Sequence, residues 1–261
     1  MRKLVWLLVP LVGGCAWFKG AKDTIEGALE PIVAVGVVIQ VDPPNAPELD
    51  DAELDLEIGR VGTIFLADAR NVSDLGNTPV SGATLDAEGC GAVVQMGELA
   101  SGTYVLEPGT ELDTCAQPGM RIRRTDVDDA LVAPITIPPD HDFALPRYHV
   151  AGQPITVRVS EAGYESALVV VVDAATGDVT FSNEPEGVVE YYQFLTGSGE
   201  VTDVEIPGEA FLPDTVHAVV VTGLVRTPNS ELTEANTVLS VVSGGRGRVY
   251  AVSTLPDPTD L

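Results

Sequence analysis

Apolar positions along this chain recur at period two, in short runs divided by glycine- and proline-rich punctuation, which predicts strands and turns. Ile32 to Val41 is almost wholly apolar and β-branched and ends at Asp42-Pro43-Pro44, so it predicts a buried strand too short to span a bilayer. Leu54, Leu56 and Ile58 alternate with Asp55, Glu57 and Gly59, a strand with one wet face. Val61–Ala67, Val80–Ala87, Ala92–Met96 and Thr103–Glu107 follow at intervals that suit a sandwich or barrel. Further on, Ile155, Val157 and Val159 alternate, Leu168–Val172 reads as a central strand, and Ala174-Ala175-Thr176-Gly177-Asp178 as a hairpin turn before Val179 and Phe181. Val201, Val204 and Ile206 mark another strand region. Tyr191, Tyr192 and Phe194 are expected on one strand, Tyr192 and Phe194 sharing its core face. Val238–Val242 and Arg248–Val252 are expected to flank a terminal hairpin turn at Gly244-Gly245-Arg246-Gly247. Pro134, Pro138, Pro139 and Pro146 predict a stiff, solvated connector. Helical periodicity is confined to Ala21–Leu29, with Ile25 and Leu29 on one face before Pro31.

Two stretches carry a resemblance. Pro79-Val80-Ser81-Gly82-Ala83-Thr84-Leu85, followed by Gly102-Thr103-Tyr104-Val105-Leu106, resembles the Ig-like and carboxypeptidase-regulatory-like β-sandwiches of surface proteins. Phe211-Leu212-Pro213-Asp214-Thr215-Val216-His217 resembles the corner of fibronectin type III domains, with His217 near the place of the tyrosine whose hydroxyl bonds back to the chain. These motifs carry a fold expectation and no catalytic residue.

The N-terminus carries another. Arg2 and Lys3 precede an apolar run from Leu4 to Val12, then Gly13-Gly14-Cys15. This resembles the lipobox of bacterial lipoprotein precursors. The resemblance implies removal of residues 1–14, acylation of Cys15 and stable membrane anchoring by more than one chain. Ala16 after the cysteine implies the outer membrane. Together the resemblances imply an all-β chain of two tandem Ig-like β-sandwich domains after a cleaved lipoprotein signal peptide. The intervals are 1–14 for the signal, 15–43 for a tether with a short helix and first strand, 44–140 for an N-terminal sandwich, and 147–256 for a C-terminal Ig/fibronectin type III-like sandwich.

Charge then limits the partners. The chain has 14 Lys and Arg against 39 Asp and Glu, a net charge of −25. Removing residues 1–14 takes away Arg2 and Lys3 and no acid, giving −27. Such a charge repels nucleic acid and anionic headgroups and favours divalent cations or basic partners. With Cys15 committed to lipid, Cys90 and Cys115 remain, and an oxidising compartment makes them a disulfide. The chain-entropy model gives that staple about 3–4 kcal/mol.

Candidate chemistry is sparse. Asp126, Asp128 and Asp129 are candidate calcium ligands, although the D-x-D-x-D-G loop is missing; ion pairs with Arg121, Arg123 and Arg124 are the competing reading. Asp140, His141, Asp142 and His149 offer zinc-type ligands without a compact spacing. Gly244-Gly245-Arg246-Gly247-Arg248 suits an anion nest or a plain turn. No G-x-S-x-G elbow, P-loop or dinucleotide fingerprint occurs. The sequence therefore points to a lipid-anchored, extracytoplasmic structural or protein-interaction module without catalysis and with an envelope or surface protein partner. A carbohydrate- or calcium-dependent surface binder and a hydrolase with unidentified carboxylates are the alternatives.

Overall fold

The computed structural model describes residues 32–49, 54, 59–68, 79–89, 91–106, 118–123, 130–132, 134–186, 188–196, 203–227 and 240–255. Its strands, in chain order, are β1 (Ile32–Val41), β2 (Gly59–Asp68), β3 (Thr84–Gly89), β4 (Ala92–Gln95), β5 (Gly97–Ala100), β6 (Thr103–Leu106), β7 (Gly119–Arg123) and β8 (Ala130–Val132). They continue as β9 (Tyr148–Val150), β10 (Ile155–Val157), β11 (Ser166–Asp173), β12 (Val179–Ser182), β13 (Val204–Ile206), β14 (Val216–Arg226) and β15 (Val241–Leu255). A single α-helix among the described residues, α1 (Val188–Thr196), interrupts an otherwise all-β chain.

The apolar run of β1 has no wet face, so it needs cover on both faces and partners on both edges. It has them. β1 pairs antiparallel with β2 from Ile32↔Asp68 to Val41↔Gly59. Its other edge pairs parallel with β15 from Val35↔Val241 to Val41↔Gly247. Val33, Ala34, Val35, Val37 and Val38 are at most 4% exposed. Each fully buried valine contributes about 1.5–3 kcal/mol of transfer free energy. The strand expected at the end of the tether is thus the joint of one nine-stranded sheet, ordered β12-β11-β14-β15-β1-β2-β6-β5 with β9 on the end of β15. That sheet runs through both expected sandwich intervals.

Each half of the sheet carries its own second layer on the same face. The four-stranded sheet β4-β3-β7-β8 packs Leu85, Ala87, Met120 and Ile122 against Ala34, Val38, Ile64 and Leu66. The β10–β13 pair packs Ile155, Val157 and Ile206 against Val169, Val171, Val219 and Val221. On the opposite face α1 lays Tyr191, Tyr192 and Leu195 over Val35, Val37, Val170 and Val220.

Three expectations are corrected. Tyr191, Tyr192 and Phe194 lie on α1, not on a strand. Leu195 stands four residues from Tyr191 and three from Tyr192, a helical spacing hidden by the aromatic character of the tyrosines. The turn at residues 244–247 does not exist, because β15 runs through it unbroken for 15 residues. These glycines instead admit close neighbours. A Cβ on Gly244 would meet the Thr136 carbonyl, and one on Gly245 would sit 2.6 Å from Leu224 Cδ2. The proline-rich connector, exposed at Pro134, Pro139 and Pro146 as expected, is not a free linker but is clamped to the sheet: Ile135 is fully buried and Phe143 is 7% exposed. Ile135 N–H donates to Pro118 O (2.7 Å), Phe143 N–H to Tyr250 Oη (2.8 Å) and Tyr164 Oη to Pro139 O (2.8 Å).

Candidate functional site

Cys15, Cys90, Cys115, Asp126, Asp128 and Asp129 lie outside the described residues. Of the arginines set against the aspartates, Arg121 Nε meets Glu88 Oε1 at 2.9 Å, and Arg123 pairs with Asp86. Both acids belong to β3, which is hydrogen-bonded to β7. Cross-strand neighbours thus supply a carboxylate to each of these two arginines.

The zinc-type set does not assemble. Asp140 and Asp142 both turn to Arg248. His141 stacks edge-on against Phe143 at 5.0 Å, while His149 Nε2 bonds Gln153 O at 2.8 Å. Among the described residues no three His, Cys, Asp or Glu side chains come together as a metal-binding group.

His217 does take up the corner role. It is fully buried, and its Nε2 accepts the Leu212 N–H at 3.1 Å. Burial pulls its pKa below the ordinary value of 6.5, with the Asp173 charge opposing, so the ring acts as a neutral acceptor. Phe211 is wedged between His217 and His149, with ring centroids at 5.5 and 5.1 Å. In the other half, Tyr104 Oη donates to Val80 O (2.8 Å) and accepts from Ala83 N–H (3.0 Å). Glu98 fixes the same corner, accepting from Gly82 N–H (3.0 Å) and Gly102 N–H (3.1 Å). The two motif segments recognised in the sequence are therefore bonded to each other.

One feature with room for a ligand was not foreseen. It is a cleft of about 450 Å³ where β1 ends, lined by Asp42, Asn45, Ala46 and Glu48 after β1, by Asp142, Ala144, Leu145 and Arg147 of the connector, and by Arg248 to Ala251 of β15. Its lining mixes apolar residues, among them Ala46, Leu145 and Val249, with charged ones. Arg147 pairs with Glu48, Arg248 with Asp140 and Asp142, and Arg246 with Asp42 (2.7 Å) beside it. Tyr250 Oη donates to Asp142 Oδ1 at 3.3 Å. Burial pushes the Tyr250 phenol up to about 12, so it stays a donor at any working pH. Ala144 on the lip has φ 51°, and its N–H donates to Asp142 Oδ1 (3.0 Å). A left-handed alanine costs roughly 1–2 kcal/mol, which the connector's anchors hold in place. The signal missed in the sequence was the pairing of acids at 42, 48, 140 and 142 with Arg147, Arg246 and Arg248, up to about two hundred residues apart.

No family model matches this chain. No curated protein matches it either. Among solved structures, the crystal structure of chicken CNTN1 FN1-FN3 domains aligns over 82% of this chain and 68% of that one, at 9% identity and TM-score 0.20. A score that low carries no structural argument. The fold therefore rests on the strands and their pairing: an all-β chain of several packed sheets.

Proposed function

We propose that this protein is a lipid-anchored module of a bacterial cell envelope that makes protein contacts and catalyses nothing. The observation that carries the reading is the run from Arg2 to Cys15: a basic start, a short apolar stretch and two glycines before a cysteine. Acylation there supplies the membrane attachment, and Ala16 favours the outer membrane. In that oxidising setting Cys90 and Cys115 form the stapling disulfide. Support for contact rather than catalysis comes from the cleft. Its guanidinium groups are each held by a carboxylate of the same chain, an arrangement that shapes a surface and leaves those groups committed.

Mass spectrometry of the envelope protein tests the anchor. A mature N-terminus at an acylated Cys15 is expected, and a chain that keeps residues 1–14 overturns the reading. Cys15→Ser should block processing or release soluble protein. Non-reducing digestion should link the peptides of Cys90 and Cys115.

A further inference from the structure

The cleft lies in a break along one edge of β15. β1 covers that edge only as far as Val41↔Gly247, where Asp42 N–H donates to Gly247 O at 3.0 Å. β9 covers it again only from Ser253↔Tyr148, where Ser253 N–H donates to Arg147 O at 2.9 Å. The other edge is paired throughout by β14, from Val216↔Ser253 to Arg226↔Ser243. Gly247 and Ser253 thus aim their backbone groups at the β1–β9 edge. By strand alternation Val249 and Ala251, the residues between them on that side, do the same. Both line the cleft. No described strand pairs with them on that edge. A paired strand interrupted for about two backbone pairs, with a cavity in the interruption, is a place for one more short strand.

We propose that this break is a strand-addition site for a short, extended, basic segment of a partner protein, an inference that deepens the proposed contact function and rests on it. Backbone bonds to Val249 and Ala251 would fix the segment. At the cleft Asp42, Glu48, Asp140 and Asp142 stand against Arg147, Arg246 and Arg248, an excess of one carboxylate toward which arginine or lysine on the segment is drawn. The chain's overall charge of −25 steers the same partners. Sixteen residues, 16–31, separate Cys15 from Ile32, and the chain enters the sheet there. The break lies past Val41, at the opposite end of β1 from Ile32.

The probes are three labelled hexapeptides added to the full mature chain: alternating valine and arginine, the same peptide N-methylated at alternate amides, and alternating valine and glutamate. The basic peptide should bind at least tenfold more tightly than either of the others, and binding should protect the Val249 and Ala251 amides from hydrogen exchange. Asn45→Trp, which fills the cleft mouth from an exposed position, should weaken it tenfold or more. Asp142→Lys should do likewise, while Glu186→Lys, an equal charge change on an exposed loop, should leave it within about twofold. Equal binding of the N-methylated peptide, protection at the β5 edge instead, or binding of none of the three overturns the proposal. Anchoring is read separately: an acylated Cys15 in a chain blind to the basic peptide sinks strand addition alone. A peptide-binding chain with unmodified Cys15 sinks the anchored reading alone.

Discussion

The two halves of the sheet solve one problem with different chemistry. In each, a side chain on a core strand reaches back to fix the corner that precedes it. The N-terminal half uses the Tyr104 hydroxyl, with Glu98 bonded to the neighbouring Gly82 and Gly102 amides. The C-terminal half uses a neutral imidazole, His217, accepting from Leu212. The difference lies in how they answer protons. The Tyr104 hydroxyl both donates and accepts, and the Glu98 carboxyl is held below its usual value by the Gly82 and Gly102 amides. That latch is present above about pH 4.5 and is lost as pH falls further. His217, also lowered, is an acceptor only while neutral, and its contribution fades from about pH 6.5 downward. On acidification the C-terminal corner loosens first.

The strongest way to break the comparison is to break what joins the halves. Gly244→Val drives a side chain into the Thr136 carbonyl, a backbone atom that cannot swing aside. Overpacking of this kind should cost about 3 kcal/mol or more in urea unfolding, and both corners should loosen together. Unchanged stability would show that connector and β15 separate easily.

Glu184 sharpens it next. Burial raises its carboxyl to about 7, beside the buried Tyr191 hydroxyl, the opposite sense to Glu98. A raised acid contributes stability that is full below about pH 4.5 and lost as pH rises through 7. Glu184→Gln should remove that decline, a change on the order of 2 kcal/mol between pH 4.5 and 8. A wild-type slope in the variant refutes the assignment. Tyr104→Phe should cost about 1–2 kcal/mol by leaving the Ala83 N–H and Val80 carbonyl without their hydroxyl, with little change in its pH dependence. The smallest effect is local. Between pH 7 and 5.5, the protection factor, with the base-catalysed intrinsic rate divided out, should fall at the Leu212 amide and stay constant at the Gly82 and Gly102 amides. An equal fall in protection at all three would erase the contrast.

Strand identity was legible wherever alternation or an apolar run met a turn signal. Val61–Ala67 appears within β2, Leu168–Val172 within β11, and the turn before Val179 is where it was expected, with Gly177 at φ 74°. The N-terminal corner was legible as motif, though its bonds were not. Legibility failed where one residue type serves two ends. Glycine at 244–247 reads as a turn because glycine permits turns, yet here it permits contact between an extended strand and a crossing chain. Tyr191 and Tyr192 read as strand because aromatics favour strands, although the spacing with Leu195 is helical. The cleft was not legible at all, since its pairs join residues such as Glu48 and Arg147, or Asp42 and Arg246.

The sequence by itself determined the all-β class and most strands, because alternation and propensity are local properties. Only the tertiary structure decided that β1 would sit between β2 and β15 and make one sheet of both halves. The reason is that a strand apolar on both faces specifies burial but not its neighbours. Its edges carry only backbone N–H and C=O groups, the same on every strand, and which of them meet is settled by packing of the whole chain.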